Sequence, residues 1–307
     1  MTTLKQMIDD YLMYCEEQKK LSRKSTKAYA IDLEQFRQQI STENIPAKTD
    51  ISTYIAYLHK IYKPRTVKRK IASIRTFFNY LEFEEIISEN PMKKIKTKFQ
   101  EPQVLPKTIS LTVIESILIA VHQEMKQAQT AFGFSSALRN TAMIELLFAT
   151  GLRVSELCSL NTEHIDLCNG NIRIMGKGRR ERILQVGNPE VISVLRWYAK
   201  ENSERISGMG SFFVNRFSSR ISEQSVRFLI KRLCAKAKID QKITPHMFRH
   251  SFATLLLEED VDIRYIQRML GHSSILTTQI YTQVTMEKQR QILTAKHPRN
   301  KISVTFI

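Results

Sequence analysis

The chain reads as mainly α-helical with one small antiparallel β-sheet, arranged in two domains. Three observations predict this. Its 307 residues suggest about two domains. Apolar residues recur at helical spacing along both halves. One pair of short runs, Asn171–Met175 and Glu181–Val186, flanks Gly176 and Gly178 and reads as a β-hairpin, with Ile172 and Ile174 alternating in its first strand.

The first hundred residues divide into four helices, Leu4–Gln18, Ser25–Ile40, Asp50–Lys60 and Pro64–Phe83, with Ser22 or Ser25 and Asp50 as N-caps. The fourth opens at Pro64 and carries an apolar stripe of Val67, Ile71, Ile74, Phe78 and Leu81. Seven basic residues and no acid lie between Lys60 and Arg75: Lys60, Lys63, Arg65, Lys68, Arg69, Lys70 and Arg75. Arg65, Lys68, Arg69 and Arg75 fall opposite the stripe, so one face packs while the other is open to phosphates. Lys60, Lys63, Arg65, Lys68, Arg69 and Arg75 are the candidate DNA contacts, although any one of them alone is more simply a solvated charge. The formal charge of +17 attracts a polyanion in general. Asn90–Pro91 stops the helical run, and a basic, polar stretch with Pro102 and Pro106 follows. These signals set domains at 1–92 and 110–307 with a linker at 93–109. The second is long enough to bury a full core.

Within it, an apolar helix containing Met143, Leu146, Leu147 and Ala149 ends at Thr150–Gly151. Arg153 follows, and Ser155 can cap the next helix. Arginine at such a junction either binds a helix C-terminus or holds an anion. Glu156 is an ordinary first-turn carboxylate or, the reading preferred here, the partner that aims a cationic group. Lys177 lies between two glycines at the hairpin tip, a place for a solvated turn charge or an exposed catalytic one. The spaced pattern of a P-loop is missing. Thr244 is a natural N-cap and Pro245 suits the first helical position. His246 and Arg249 then share a face near a helix N-terminus, where an anion is favoured. Phe248, Phe252 and Leu255 or Leu256 form the buried stripe, while His250 projects elsewhere as a structural residue. Gly271, after Ile263, Ile266 and Leu270, reads as a helix-closing glycine. His272 follows it, and Thr277 or Thr278 can cap a short helix carrying Tyr281. Arginines, a lysine, histidines and a phenol in one domain suggest an enzyme that attacks DNA with a tyrosine and uses no metal.

Taken in order, these residues resemble the tyrosine recombinase (phage integrase) family, and within it the bacterial Xer recombinases. The resemblance covers essentially the whole chain and is carried by Ala149–Leu157, Gly176–Arg182, Thr244–Thr254, Leu270–Ser273, Thr277–Thr282 and His297–Arg299. It implies a helical, SAM-like domain that binds core DNA and a catalytic domain, forming a clamp around duplex DNA. It assigns catalysis to Arg153, Lys177, His246, Arg249, His272 and Tyr281, with Glu156 in support. The segment Val121–Ala137 is longer than its Xer counterpart, which suggests an exposed loop or helix extension.

The chemistry then expected is attack by Tyr281 on a backbone phosphorus, giving a 3′-phosphotyrosyl link and a free 5′-hydroxyl. The bond energy is preserved, so neither ATP nor a cofactor is required. Arg153 and Arg249 suit the nonbridging oxygens of the transition state. His246 suits a general base or a phosphate donor, His272 a donor, and Lys177 the general acid. The expected partners are duplex DNA with inverted-repeat core sites and other protomers, as a homotetramer or with a paralogue, on two duplexes. The reaction would serve integration or excision of a mobile element, or Xer-like resolution of chromosome or plasmid dimers. The alternatives are a type IB topoisomerase acting alone and a silent DNA-binding protein. Against the former, Met286–Ala295 reads as an amphipathic helix with Ile292 and Leu293, followed by an apolar tail, Ile302–Ile307. The segment 286–307 is thus suited to docking on a neighbour, the alternative being that it folds back in cis. Cys15, Cys158, Cys168 and Cys234 lack metal-ligand or disulfide spacing, and no signal peptide or membrane-length run stands out, so a cytoplasmic, nucleoid-associated location is expected.

Overall fold

A computed structural model of the chain describes residues 3–40, 42, 44–97, 107–175, 181–208, 210–259, 261–271 and 286–303. The chain divides into two compact units, Met1–Val104 and Leu105–Ile307.

The first unit holds four helices: α1 (Leu4–Glu17), α2 (Arg23–Gln39), α3 (Lys48–Ile61) and α4 (Pro64–Phe83). Thr3 and Gln6 form a reciprocal cap on α1, and Ser22 accepts the Ser25 N–H at the start of α2. Asp50, expected as the N-cap of α3, stands in its first turn instead and accepts the Ala47 N–H at 2.9 Å. Pro64 begins α4 because its fixed φ and missing N–H cost nothing in a first turn. The whole predicted stripe of Val67, Ile71, Ile74, Phe78 and Leu81 is buried, together with Phe77. It meets Tyr11, Leu33, Phe36, Tyr54 and Leu58 in one core, where burying each large side chain contributes about 2 kcal/mol. Asn90 caps a 3-10 turn, Pro91–Lys94, whose Met92 is buried in the same core.

One member of the basic run is internal. Lys70 is buried, and its Nζ donates to Asp32 Oδ1 at 3.1 Å and to Gln35, while lying over the Tyr62 ring. Asp32, also fully buried, accepts from Ser73 Oγ at 2.8 Å and pairs with Arg69. Burying a carboxylate is costly unless it is paired and hydrogen-bonded, and these bonds tie Lys70 to the core of the unit.

The second unit is built on two long helices, α5 (Leu111–Lys126) and α6 (Ala131–Thr150), followed by α7 (Val154–Ser159). A three-stranded antiparallel sheet comes next: β1 (Ile165–Asp166), β2 (Asn171–Met175) and β3 (Glu181–Gln185). Asn171 pairs with Gln185 and Met175 with Glu181, the expected hairpin, while Ile172, Ile174 and Leu184 point into the core. Then follow α8 (Pro189–Glu201), α9 (Ser203–Ser207), α10 (Glu223–Lys236), α11 (Pro245–Glu258), α12 (Ile263–Leu270) and α13 (Met286–Lys296). From Thr141 to Thr150 every residue of α6 is buried, which makes it the central helix, packed by α5, α8 and α11. Of the two readings of Val121–Ala137, helix extension describes most of the segment, since α5 runs to Lys126 and α6 begins at Ala131. Val121, His122 and Met125 belong to the last turns of α5 and are buried, and Thr130 caps α6 through the Gly133 N–H. Among the described residues, no helix is long and apolar enough to cross a membrane.

The C-terminal segment packs in cis in this single chain, the alternative to docking on a neighbour. Leu293, His297, Arg299 and Ile302 are all buried in this unit. Arg299 forms a two-pronged ion pair with Glu145 of α6, Nε to Oε2 at 2.9 Å and Nη2 to Oε1 at 3.1 Å, and its Nη1 donates to the Ile302 carbonyl. His122 of α5 lies 2.8 Å from the same carboxylate. Residues 304–307 of the expected tail lie outside the described residues.

Candidate active site

Central helix α6 ends at Gly151, whose left-handed φ of 62° turns the chain out of the helix. A side chain there would collide with Phe252, since a Cβ would lie 2.7 Å from its ring. The turn delivers Arg153 to the entrance of α7. Ser155 does not cap this helix. Glu156 does so from its first turn, accepting the Arg153 N–H at 2.8 Å through Oε2. Its other oxygen accepts from Arg153 Nη1 at 2.8 Å. Arg182 of β3 grips the same carboxylate as a fork, with Nη1 to Oε1 at 3.0 Å and Nη2 to Oε2 at 2.8 Å.

Arg249 enters from α11. Pro245 sets the first turn of that helix, and Thr244 stands at its N-cap without a side-chain hydrogen bond. Arg249 Nη1 donates to the Gly151 carbonyl at 2.9 Å and Nη2 to the Leu270 carbonyl at 2.5 Å. It therefore binds the C-terminal ends of both α6 and α12, the role that was open for Arg153. Gly271 closes α12 with a φ of 65°, as its sequence context predicts.

Two guanidinium groups, those of Arg153 and Arg182, thus bond one carboxylate where α6, α7, β3, α11 and α12 meet, and Arg249 stands on the adjoining carbonyls. Burial alone would raise the pKa of Glu156. The hydrogen bonds and charge of Arg182, with the contacts from Arg153, outweigh it and hold the carboxyl below its ordinary range. Burial, joined by the like charges of Arg153 and Arg182, brings Arg249 down to about 10, with Glu156 opposing. Arg249 is still a cation at neutral pH. Arg153 is the most accessible of the three arginines, with 35% of its side chain exposed against 14% for Arg182, while Arg249 is buried. A cluster of partly buried guanidinium groups of this kind suits the oxygens of a phosphodiester.

Of the predicted site residues, Arg153, Glu156 and Arg249 are brought together. His246 is exposed on the first turn of α11, three positions from Arg249. His250 is also exposed, and burial of its ring, then the nearby His246 and Arg249, lowers its pKa. Lys177, His272 and Tyr281 lie outside the described residues. Lys177 falls between β2 and β3 in the chain, and His272 directly follows Gly271. All six candidate DNA contacts of the first unit are exposed: Lys60, Lys63, Arg65, Lys68, Arg69 and Arg75. Arg69 pairs with Asp32 and Arg75 bonds Thr97.

The residue that sequence reasoning missed is Arg182. Its signal was strand alternation, since Arg182 shares the inward side of β3 with buried Leu184, while Glu181 and Ile183 face outward.

The phage integrase family model matches residues 113–288, and the model of the phage integrase N-terminal SAM-like domain matches residues 8–85. The chain belongs to the phage integrase family. It is 49% identical over 302 residues to a tyrosine recombinase of Agathobacter rectalis, covering 97% of this chain and 98% of that protein. It is 36% identical over 304 residues to tyrosine recombinase XerD of Listeria innocua, covering 95% and 99%. Among solved structures it is similar to the XerH site-specific recombinase bound to a palindromic difH substrate, with a TM-score of 0.70 and 21% identity over 97% of this chain and 82% of that one. A lambda integrase dimer bound to a COC' core site gives a TM-score of 0.65 at 16% identity, over 92% and 99%. The fold is that of these two-domain enzymes. This tyrosine recombinase is accordingly an enzyme of site-specific DNA strand breakage and rejoining, and the topoisomerase alternative is not favoured.

Proposed function

We propose that Tyr281 attacks a DNA backbone phosphorus, forms a 3′-phosphotyrosyl link and releases a 5′-hydroxyl, and that a 5′-hydroxyl of another strand reverses the step. Arg153 and Arg249 bind the nonbridging oxygens, where delocalised charge and forked N–H groups match the pentavalent transition state. His246 acts as general base toward the phenol or donates to the phosphate, and His272 donates to an oxygen. Lys177 gives a proton to the leaving 5′-oxygen. Glu156 aims Arg153. The first unit holds duplex DNA through the exposed face of α4, and four protomers act on two duplexes carrying inverted-repeat sites. The product is either integration or excision of a mobile element or Xer-like resolution of dimers, and mapping the DNA captured on Tyr281 in cells assigns it.

One observation carries this reading: Arg153 and Arg249, distant in sequence, converge beside the carbonyl ends of α6 and α12, and the chain runs from the latter directly into His272. The deciding experiment is Tyr281→Phe. The variant should bind DNA as the unmodified protein does and yield no covalent adduct on a nicked suicide duplex. A covalent band from it on a denaturing gel would remove Tyr281 as nucleophile.

A further inference from the structure

We propose that Arg182 is a positioning residue of the cleavage reaction: it satisfies Glu156 so that Arg153 stays available to the phosphate, and it ties β3 to the end of α12. The inference rests on the phosphotyrosyl reading above. Glu156 is almost fully buried and accepts four hydrogen bonds, two from Arg153 and two from Arg182. Arg153 contributes its backbone N–H and a single nitrogen of its guanidinium. Arg182 contributes the full fork. A buried carboxylate left with one cation draws that cation into a bidentate pair, the stronger geometry. Without Arg182, the only guanidinium left bonded to Glu156 among the described residues is that of Arg153, and its donors would turn from the phosphate toward the carboxylate.

The second link is on the backbone. Arg182 Nε donates to the Met269 carbonyl at 2.9 Å. Its guanidinium lies against Gly271, where a Cβ would come within 3.0 Å of Nη1. Arg249 holds the adjacent carbonyl, that of Leu270. One side chain therefore connects the strand that follows Lys177 with the turn that leads into His272. All three nitrogens of Arg182 are engaged, Nε with Met269 and both Nη with Glu156. This group is built to hold other groups rather than to meet the phosphate.

The test uses the full chain and a nicked suicide duplex, its site selected from a randomised duplex pool by covalent capture on the unmodified protein. Single-turnover adduct formation is measured beside affinity for the intact duplex. Arg182→Met should slow adduct formation by about 10- to 100-fold, the range for a residue that supports a reacting group, and leave affinity nearly unchanged. Arg182→Lys should fall between, because it restores the charge without the fork. Adding Glu156→Gln to Arg182→Met should recover part of the lost rate, since the neutral amide no longer captures Arg153, whereas a merely structural role predicts no recovery. An Arg182→Met rate equal to that of the unmodified protein, or a double variant no faster than Arg182→Met, would overturn the inference and leave the Tyr281 reading intact. If Arg182→Met does not fold, Arg182→Lys decides, and full activity from it counts against the proposal. No adduct from the unmodified protein on any member of the pool would overturn the phosphotyrosyl reading and this inference with it.

Discussion

The second unit should lose stability on mild acidification through one buried imidazole, and His297→Asn should remove that loss. His297 is 3% exposed and lies between the rings of Phe148 and Phe252. Its Nε2 donates to the Phe148 carbonyl at 3.2 Å, and its Nδ1 accepts the Arg299 N–H at 2.9 Å. Only the neutral ring with its proton on Nε2 makes both bonds. A second proton on Nδ1 would break the Arg299 contact and place a cation beside another. Burial first, then the charge of Arg299, lowers the pKa from 6.5 to about 4, with the Phe148 and Ala149 carbonyls and Glu145 opposing. Well above 6.5 neither folded nor unfolded chain carries this proton, and the full contribution is present. As the pH falls toward 4, the unfolded chain takes up a proton that the folded domain refuses, so stability declines. Each pH unit of that window removes up to about 1.4 kcal/mol, and crossing it costs about 3 kcal/mol in all.

The chain has a single tryptophan, Trp197 of α8, so its fluorescence follows the second unit alone. Urea unfolding monitored there, from neutral to mildly acid pH, gives the stability curve. Asparagine can still accept the Arg299 N–H at the cap but does not titrate. The gap between the variant and the unmodified protein should therefore narrow by about 2 kcal/mol on going from neutral pH to roughly pH 5. Parallel losses in both proteins would show that His297 is not the group responsible.

Three further substitutions test the proposed catalytic set. Arg153→Lys and Arg249→Lys should each slow single-turnover cleavage by roughly 100-fold or more, because lysine keeps the charge but loses the fork; a near-normal rate from either would make that arginine structural. Lys177→Ala should be rescued preferentially by a substrate with a 5′-bridging sulfur, a leaving group that needs no proton. Equal rescue of Lys177→Ala and Arg153→Lys would mean that Lys177 is not the acid.

What the sequence reveals here is whatever is encoded locally. The α4 bounds were legible because Pro64 and five apolar positions are all within one helix. Gly151 and Gly271 were legible because only glycine takes a left-handed φ without strain. What stayed hidden depends on partners far away in the chain. Ser155 has the local preference of a cap, yet Glu156 takes that role because its buried carboxylate must also meet Arg182. Lys70 looks like one more basic residue until Asp32, 38 positions earlier, draws it inside. Arg182 lies within a recognisable stretch, but nothing near it in sequence names Glu156 or the Met269 carbonyl as its partners.

The C-terminal segment combines both lessons. Its amphipathic pattern shows a helix that must dock but not the surface on which it docks. In a single chain the docking is intramolecular: Arg299 closes on Glu145, and Leu293 and Ile302 enter the core. Pulling this segment into water would leave a buried glutamate with His122 alone, a loss of about 3–5 kcal/mol for breaking such a pair. Exchange between protomers avoids that loss, because an identical neighbour offers an identical Glu145 and the same apolar recess. The cis packing and the proposed exchange are therefore two placements of one set of contacts. Their balance rests on the chain joining Leu270 to α13, which carries His272 and Tyr281, so a swap of α13 would move the segment of the proposed nucleophile as well.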